Sequence, residues 1–309
     1  MMTSPATHEE LITFLNEHDR FGLNEADLFI FSQGTMPAVD YKNKNVLLES
    51  KGEIALSPNG HGGMLEAFVA SGCLQDAEQR GLSQLFYGQI DNPLLNVCDP
   101  ILVGYHLLAE SELTTQVVKK HDPLEKVGNV VELNGRTQII EYSDLPDSIA
   151  RNRDENGDLR LWAGNLAVHV FQMDFLKRMA ADKNALPFHR AKKKVTFVDD
   201  EGSLVEPETE NAIKFERFIF DLLPAARNAL VVEAAKKDAF APVKNASGAD
   251  SPETAREGMV HQAAELLRNA GARVDDVVVE VNPLWALDSE EASRKIQPGL
   301  HVTRPTYFH

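Results

Sequence analysis

The sequence predicts a mixed α/β fold on three observations. Helical and strand patterns alternate from end to end, as expected when helices cover a sheet. Helix starts are written as cap-then-proline pairs at Asp99-Pro100 and Ser251-Pro252, where the fixed proline φ suits a first turn. Two hairpin signals interrupt the alternation, so the sheet should carry inserted antiparallel hairpins.

Taken in order, Thr7 and Glu10 have capping-box spacing ahead of a helix with Leu11, Phe14 and Leu15 on one stripe and Gly22 as its stop. Leu85 to Ile90 reads as a buried strand ending at Asp91-Asn92. The helix opened by Asp99-Pro100 is expected to bury Ile101, Leu102, Tyr105 and Leu108. Val130–Leu133 and Arg136–Tyr142 form a hairpin through Asn134-Gly135, residues that tolerate the positive φ of a type I′ turn. A second hairpin joins Val195–Val198 to Leu204-Val205 through Asp200-Glu201-Gly202. Lys244 to Pro252 is a polar loop, followed by a helix through Met259, Ala263, Leu266 and Leu267 that ends near Gly271. A strand at Val277–Val281 lies in the last segment.

The 309 residues suffice for one large or two medium domains, since domains run at roughly 100–200 residues. With 31 Lys+Arg against 47 Asp+Glu the formal charge is −16, which argues against nucleic acid or an anionic membrane as partner, because both require a basic footprint. Lys192-Lys193-Lys194 is too short a run to change that and reads as a strand edge. No stretch reaches the roughly 18 apolar residues of a membrane span. Met1-Met2-Thr3-Ser4-Pro5 lacks a signal-peptide layout. Two cysteines, Cys73 and Cys98, make neither a disulfide framework nor a metal set. A soluble, cytoplasmic protein is expected.

Three groups of residues could carry chemistry. Ser57-Pro58-Asn59-Gly60-His61-Gly62-Gly63 opens a helix, and its glycines let backbone approach a ligand while the helix start offers free amides. A flexible turn explains the same glycines. Asp91-Asn92 ends a strand, where α/β sheets bind ligands and where a carboxylate can hold Mg²⁺ bridging phosphates. An Asx turn is the plainer alternative. Glu141-Tyr142, Asn165 and the pair Phe218/Phe220 beside Lys214 offer hydrogen bonds and aromatic faces suited to a sugar and its acetyl group, although each could equally be surface or core. Lys244 alone reads as a solvated loop lysine. The ten histidines show no metal-ligand spacing, and no nucleophile elbow exists.

The order of these motifs is more specific than any one of them. Met2-Thr3-Ser4, Phe31-Ser32-Gln33-Gly34-Thr35-Met36-Pro37-Ala38, Pro58-Asn59-Gly60-His61-Gly62-Gly63, Ile90-Asp91-Asn92, Ile139-Ile140-Glu141-Tyr142-Ser143, Ala163-Gly164-Asn165-Leu166, Ile213 to Asp221 and Phe240-Ala241-Pro242-Val243-Lys244-Asn245 follow one another. Together they resemble the UDP-N-acetylglucosamine (UDP-N-acetylhexosamine) pyrophosphorylase branch of the UTP–sugar-1-phosphate uridylyltransferases. The resemblance runs from Met2 to about Ala272 and implies a nucleotide-diphospho-sugar transferase fold, a Rossmann-like mixed sheet flanked by helices, over 1–272, with 273–309 beginning a small C-terminal β region. It implies that UTP and a sugar-1-phosphate give a UDP-sugar and pyrophosphate with Mg²⁺ as cofactor.

Residue by residue, the resemblance puts Gln33 and Gly60 on the uracil, His61 on the base–sugar region and Asp91 on Mg²⁺ and nucleotide phosphate. Glu141, Tyr142 and Asn165 would hold the sugar, Phe218 and Phe220 would surround its N-acetyl group, and Lys214 and Lys244 would neutralise phosphates. His61 stands where the acetylhexosamine branch has Asn and the UDP-glucose branch has Pro-Pro-Gly-His-Gly, which leaves N-acetylglucosamine-1-phosphate and glucose-1-phosphate both open. The family's glycine-rich loop, with its Gly-Thr-Arg element, lies upstream of the Met-Thr-Ser segment. Its absence here predicts an N-terminally truncated nucleotide-binding domain. A catalytically inactive UDP-sugar-binding remnant and self-association through an exposed sheet edge are the corresponding expectations.

Overall fold

The computed structural model describes all 309 residues. Its central sheet has six strands: β1 (Gln84–Tyr87), β2 (Leu113–Lys119), β3 (Asn129–Leu133), β4 (Arg136–Ile140), β5 (Ala163–Gln172) and β6 (Ala229–Ala234). The order is β4-β3-β5-β2-β6, and β1 pairs with the remaining edge of β5, beside β3. β2 and β6 are parallel, whereas β5 is antiparallel to β1, β2 and β3, so the sheet is mixed as expected. β1 pairs on one side only.

Alternation along β5 supplies two cores, because successive side chains leave opposite faces. Phe171 joins Leu113, Met64, Phe175, Leu176 and Ile219 under one face. Leu166, Val168 and Val170 pack with Leu102 and Val118 under the other. Between Asn165 and His169 the register with β2 slips, and Ala167 takes φ +56°. Bulges of this kind re-aim side chains beside functional sites. Here the Asn165 side-chain oxygen accepts the Ala167 amide at 3.1 Å and the Thr115 hydroxyl at 3.2 Å, which fixes the Asn165 amide head.

A second, three-stranded sheet sets Ala212–Glu216 between Val39–Asp40 and His189–Lys193. Beside it Leu56–Pro58 pairs with Thr35–Pro37 and delivers the chain into the glycine loop. The Asn134-Gly135 turn has φ of +54° and +72°, and Phe197–Val198 pairs with Leu204–Val205, so both hairpins form. The Pro252–Asn269 helix is capped by Ser251 and Thr254 reciprocally. Its Ala263, Ala264 and Leu267 share a separate core with Val274, Val279 and Val302. The line drawn between 272 and 273 therefore passes between this helix and the strands it packs on.

Two helix expectations fail locally. Thr7 precedes the His8–Glu17 helix, but its hydroxyl bonds back to Ser4 and makes no cap, so the box with Glu10 does not form. In the Pro100–Leu108 helix Asp99 caps the Ile101 amide at 3.0 Å and Leu102 is buried, yet Ile101, Tyr105 and Leu108 are 68%, 54% and 85% exposed. The helix is apolar on most of its circumference, so its periodicity did not single out the covered face.

Candidate active site

The glycine loop is built by close approach. Asn59 donates its amide to the Gly34 carbonyl at 3.1 Å and accepts the Arg217 amide at 2.8 Å, while the Gly62 amide returns to the Arg217 carbonyl at 2.7 Å. At Gly60, φ is +82° and an added Cβ would stand 2.5 Å from the Arg217 carbonyl oxygen. At Gly62 it would stand 2.6 Å from the Arg217 carbonyl carbon. No side chain fits either position, so the loop is held in place and is no flexible turn. Gln33, adjoining Gly34, is anchored through its amide to the Thr3 carbonyl at 2.9 Å.

This packing fixes His61. Its ring lies 5.2 Å from Phe218, nearly parallel, 5.5 Å from Phe220 and 6.5 Å from Tyr87. The Ile219 amide donates to His61 Nδ1 at 3.3 Å, which leaves Nε2 as the protonated nitrogen of the neutral ring. Burial, with a smaller repulsion from His189, depresses its pKa to about 4. Phe218 is half-buried, whereas Phe220 is 2% exposed and belongs to the core beneath it. Next to His61, on β5, fully buried His169 has no partner for either ring nitrogen, and burial takes its pKa to about 3. The Ser57 hydroxyl and Asn59 side-chain oxygen are likewise buried without partners. Unmet polar capacity thus gathers on and around this loop.

Glu141 and Asn165 meet across Gly128. A Cβ there would lie 3.2 Å from the Glu141 carboxylate and 3.7 Å from Asn165 Cβ, and the Gly128 carbonyl accepts the Asn165 amide at 2.8 Å. Burial raises the Glu141 pKa, and the Asp144 charge adds to it, while His189 and Lys244 act in the opposite direction. Lys244 therefore lies within electrostatic reach of Glu141. Tyr142, by contrast, turns its ring outward and is 45% exposed.

Asp91 follows β1 and ties the lysine-bearing loop to the sheet, because its carbonyl accepts the Val243 amide at 2.8 Å. Asn92 does the rest: its side chain donates to the Ala239 carbonyl at 2.7 Å and accepts the Ala241 amide at 3.1 Å. It also accepts the Leu94 amide, so the Asx turn exists, but the long-range latch is the larger part of its work. Lys214 sits on Ala212–Glu216 opposite Ala191, and the structure gives it no contact with the other candidate residues. Neither Lys214 nor Lys244 is in an ion pair, and the Asp91 carboxylate has no hydrogen bond or ion pair.

Several neighbours escaped the reading of the sequence. Tyr87 and His169 enter through strand pairing and Gly128 through the bond from the Asn165 amide, which no spacing announces. His189 reaches Asp221 at 2.7 Å and lies 4.5 Å from the Phe218 ring, across 32 residues of chain. Asp221 stands within the Ile213–Asp221 motif, the one signal that pointed near this pair.

The mixed sheet flanked by helices, with the fixed glycine loop and the aromatic stack beside it, shares its fold with UDP-sugar pyrophosphorylase structures. The chain belongs to the UTP–glucose-1-phosphate uridylyltransferase family, which matches residues 1–263. Among its relatives, human UDP-N-acetylhexosamine pyrophosphorylase-like protein 1 is 37% identical over 279 residues, covering 89% of this chain and 55% of its own. The UDP-N-acetylglucosamine pyrophosphorylase of Saccharomyces cerevisiae is 34% identical over 303 residues, covering 95% and 63%. A crystal structure from Entamoeba histolytica, provisionally designated a UDP-N-acetylglucosamine pyrophosphorylase, has a TM-score of 0.88 at 30% identity, covering all of this chain and 77% of that one. The chain thus spans a little over half the length of the curated relatives it matches.

Proposed function

We propose that this chain is a uridylyltransferase that makes UDP-N-acetylglucosamine and pyrophosphate from UTP and N-acetylglucosamine-1-phosphate, with Mg²⁺ as its metal. The observation that carries this reading is the pairing of His61 with Phe218 and of Glu141 with Asn165, two pairs linked through His189, in a chain whose relatives bear acetylhexosamine names. The glycine loop presents backbone to the uracil, with Gln33 beside it. Asn165 and Glu141 bind sugar and acetamido groups, the exposed Tyr142 stands at the rim beside them, and Phe218, supported from below by Phe220, offers an apolar face to the acetyl methyl.

A phosphate oxygen of the sugar-1-phosphate attacks the α-phosphorus of UTP in line, and pyrophosphate leaves. This needs no protein nucleophile, only positioning and neutralisation of charge. Lys214 and Lys244 supply cations that no carboxylate already occupies. The Asp91 carboxylate is equally unengaged, and one carboxylate with substrate phosphates is a common way to hold Mg²⁺. Asp91 would hold that ion, which would supply further positive charge at the phosphates. The unpaired thiols of Cys73 and Cys98 support a cytoplasmic setting. The open side of β1 is the surface we assign to self-association.

The test is pyrophosphate release from UTP and Mg²⁺ with N-acetylglucosamine-1-phosphate, and in parallel with glucose-1-phosphate. Release with the acetylated sugar supports the reading, and preference for glucose-1-phosphate would favour a UDP-glucose pyrophosphorylase. The alternative reading is a UDP-sugar-binding remnant without catalysis. Binding of UDP-N-acetylglucosamine without turnover would establish it in place of the first.

A further inference from the structure

His189 is the side chain that joins the two halves of the proposed sugar pocket. It opens the edge strand His189–Lys193, and its backbone pairs with Glu216, two residues before Phe218. Its Nε2 lies 2.7 Å from a carboxylate oxygen of Asp221, and its Nδ1 lies 4.0 Å from a carboxylate oxygen of Asp144. Asp144 donates its amide to the Glu141 carbonyl at 3.0 Å, and Asp221 donates its amide to the Phe218 carbonyl at 3.1 Å. Each carboxylate thus ends a short turn whose first residue is one of the proposed sugar contacts. The imidazole spans both turns while its ring sits 4.5 Å from Phe218, which in turn stacks on His61.

Among the hydrogen bonds and ion pairs, His189 alone reaches both turns, bonding Asp221 and standing 4.0 Å from Asp144, and an imidazole suits the task because it joins a ring face to a directional donor. With the proton on Nε2 given to Asp221, the ring plane is fixed, and the Phe218 ring it touches is fixed with it. We propose that His189, held by Asp221, is a positioning residue that sets the separation of Phe218 from the Glu141–Asp144 turn and thereby the selectivity for the N-acetylated sugar. It rests on the sugar-pocket reading above and assigns no contact between His189 and the reacting atoms.

The experiment is calorimetric titration of the full chain with UDP and with UDP-N-acetylglucosamine, for the wild type, His189→Ala, His189→Phe and Asp221→Asn. UDP carries the nucleotide without the sugar, so it separates pocket geometry from general folding. His189→Ala should weaken UDP-N-acetylglucosamine by about tenfold, as small misplacements of positioning groups do, and leave UDP unchanged. His189→Phe keeps a ring but not the bond, and Asp221→Asn keeps a bonding partner but not its charge; each should fall between wild type and His189→Ala. Equal loss for both ligands, or no loss for either, would overturn the proposal. A wild-type chain that binds UDP but gains nothing from the sugar would overturn the sugar pocket, and with it this inference. Binding of neither would remove the nucleotide site itself.

Discussion

Burial and the Ile219 amide keep His61 uncharged at neutral pH, so what it offers a ligand is a ring face and Nε2–H and no charge. If that face reads the sugar, His61→Asn should raise the kcat/KM ratio for N-acetylglucosamine-1-phosphate over glucose-1-phosphate, by about tenfold for one well-placed contact; an unchanged ratio in competition assays would remove the idea. His61 and His169 also make the fold acid-sensitive. Both have folded-state pKa values below the ordinary 6.5, so the unfolded chain binds more protons across that interval. Stability is then complete above about pH 6.5 and falls as pH drops towards 4 and 3. His169 additionally buries two unpartnered nitrogens. His169→Leu should therefore flatten the acid side of the unfolding midpoint against pH and be neutral or stabilising at pH 7, since an unmet buried polar group costs about 1–3 kcal/mol. An equally steep acid limb with a lower midpoint at pH 7 would contradict this.

At the scale of elements, the Asn92 latch holds the 239–245 segment, and Lys244 with it, against the end of β1. Asn92→Ala leaves the Ala239 carbonyl and Ala241 amide without that partner and should cost about 1–3 kcal/mol. Limited proteolysis should then cut between 240 and 251 earlier than in the wild type, and turnover should fall; unaltered cleavage would show that the segment is held by something else. Elements whose signal is local were legible in the sequence. Asn134-Gly135, Asp99-Pro100 and Ser251-Pro252 work through their own backbone geometry, and all three formed. What depends on a distant partner was not legible. Thr7 chose Ser4 over a cap, and Ile101, Tyr105 and Leu108 carry a helical apolar pattern that nothing in the structure covers. Within the site the glycine spacing marked the loop, but only the strand behind it, with Arg217 against Gly60 and Gly62, shows why those residues have no side chains.

For the molecule as a whole, a net charge of −16 encloses a site whose cations are few and placed. That average offers no basic footprint for nucleic acid or an anionic membrane, while the proposed nucleotide site relies on the unpaired Lys214 and Lys244. The mixed sheet is continuous from β4 to β6, yet β1 keeps one side unpaired and the Met2–Thr3 and Phe31–Ser32 strands pair only with each other. Open strand sides recruit other strands. Sedimentation velocity should therefore show concentration-dependent association of this chain, and a monodisperse monomer at all concentrations would count against the open side as a contact surface. A crystal structure of the chain with UDP-N-acetylglucosamine should show uracil against Gly60 and Gln33, the sugar between Glu141 and Asn165, and the acetyl methyl on the Phe218 ring. A nucleotide bound elsewhere, or a sugar turned away from Phe218 and Glu141, would contradict the proposed function.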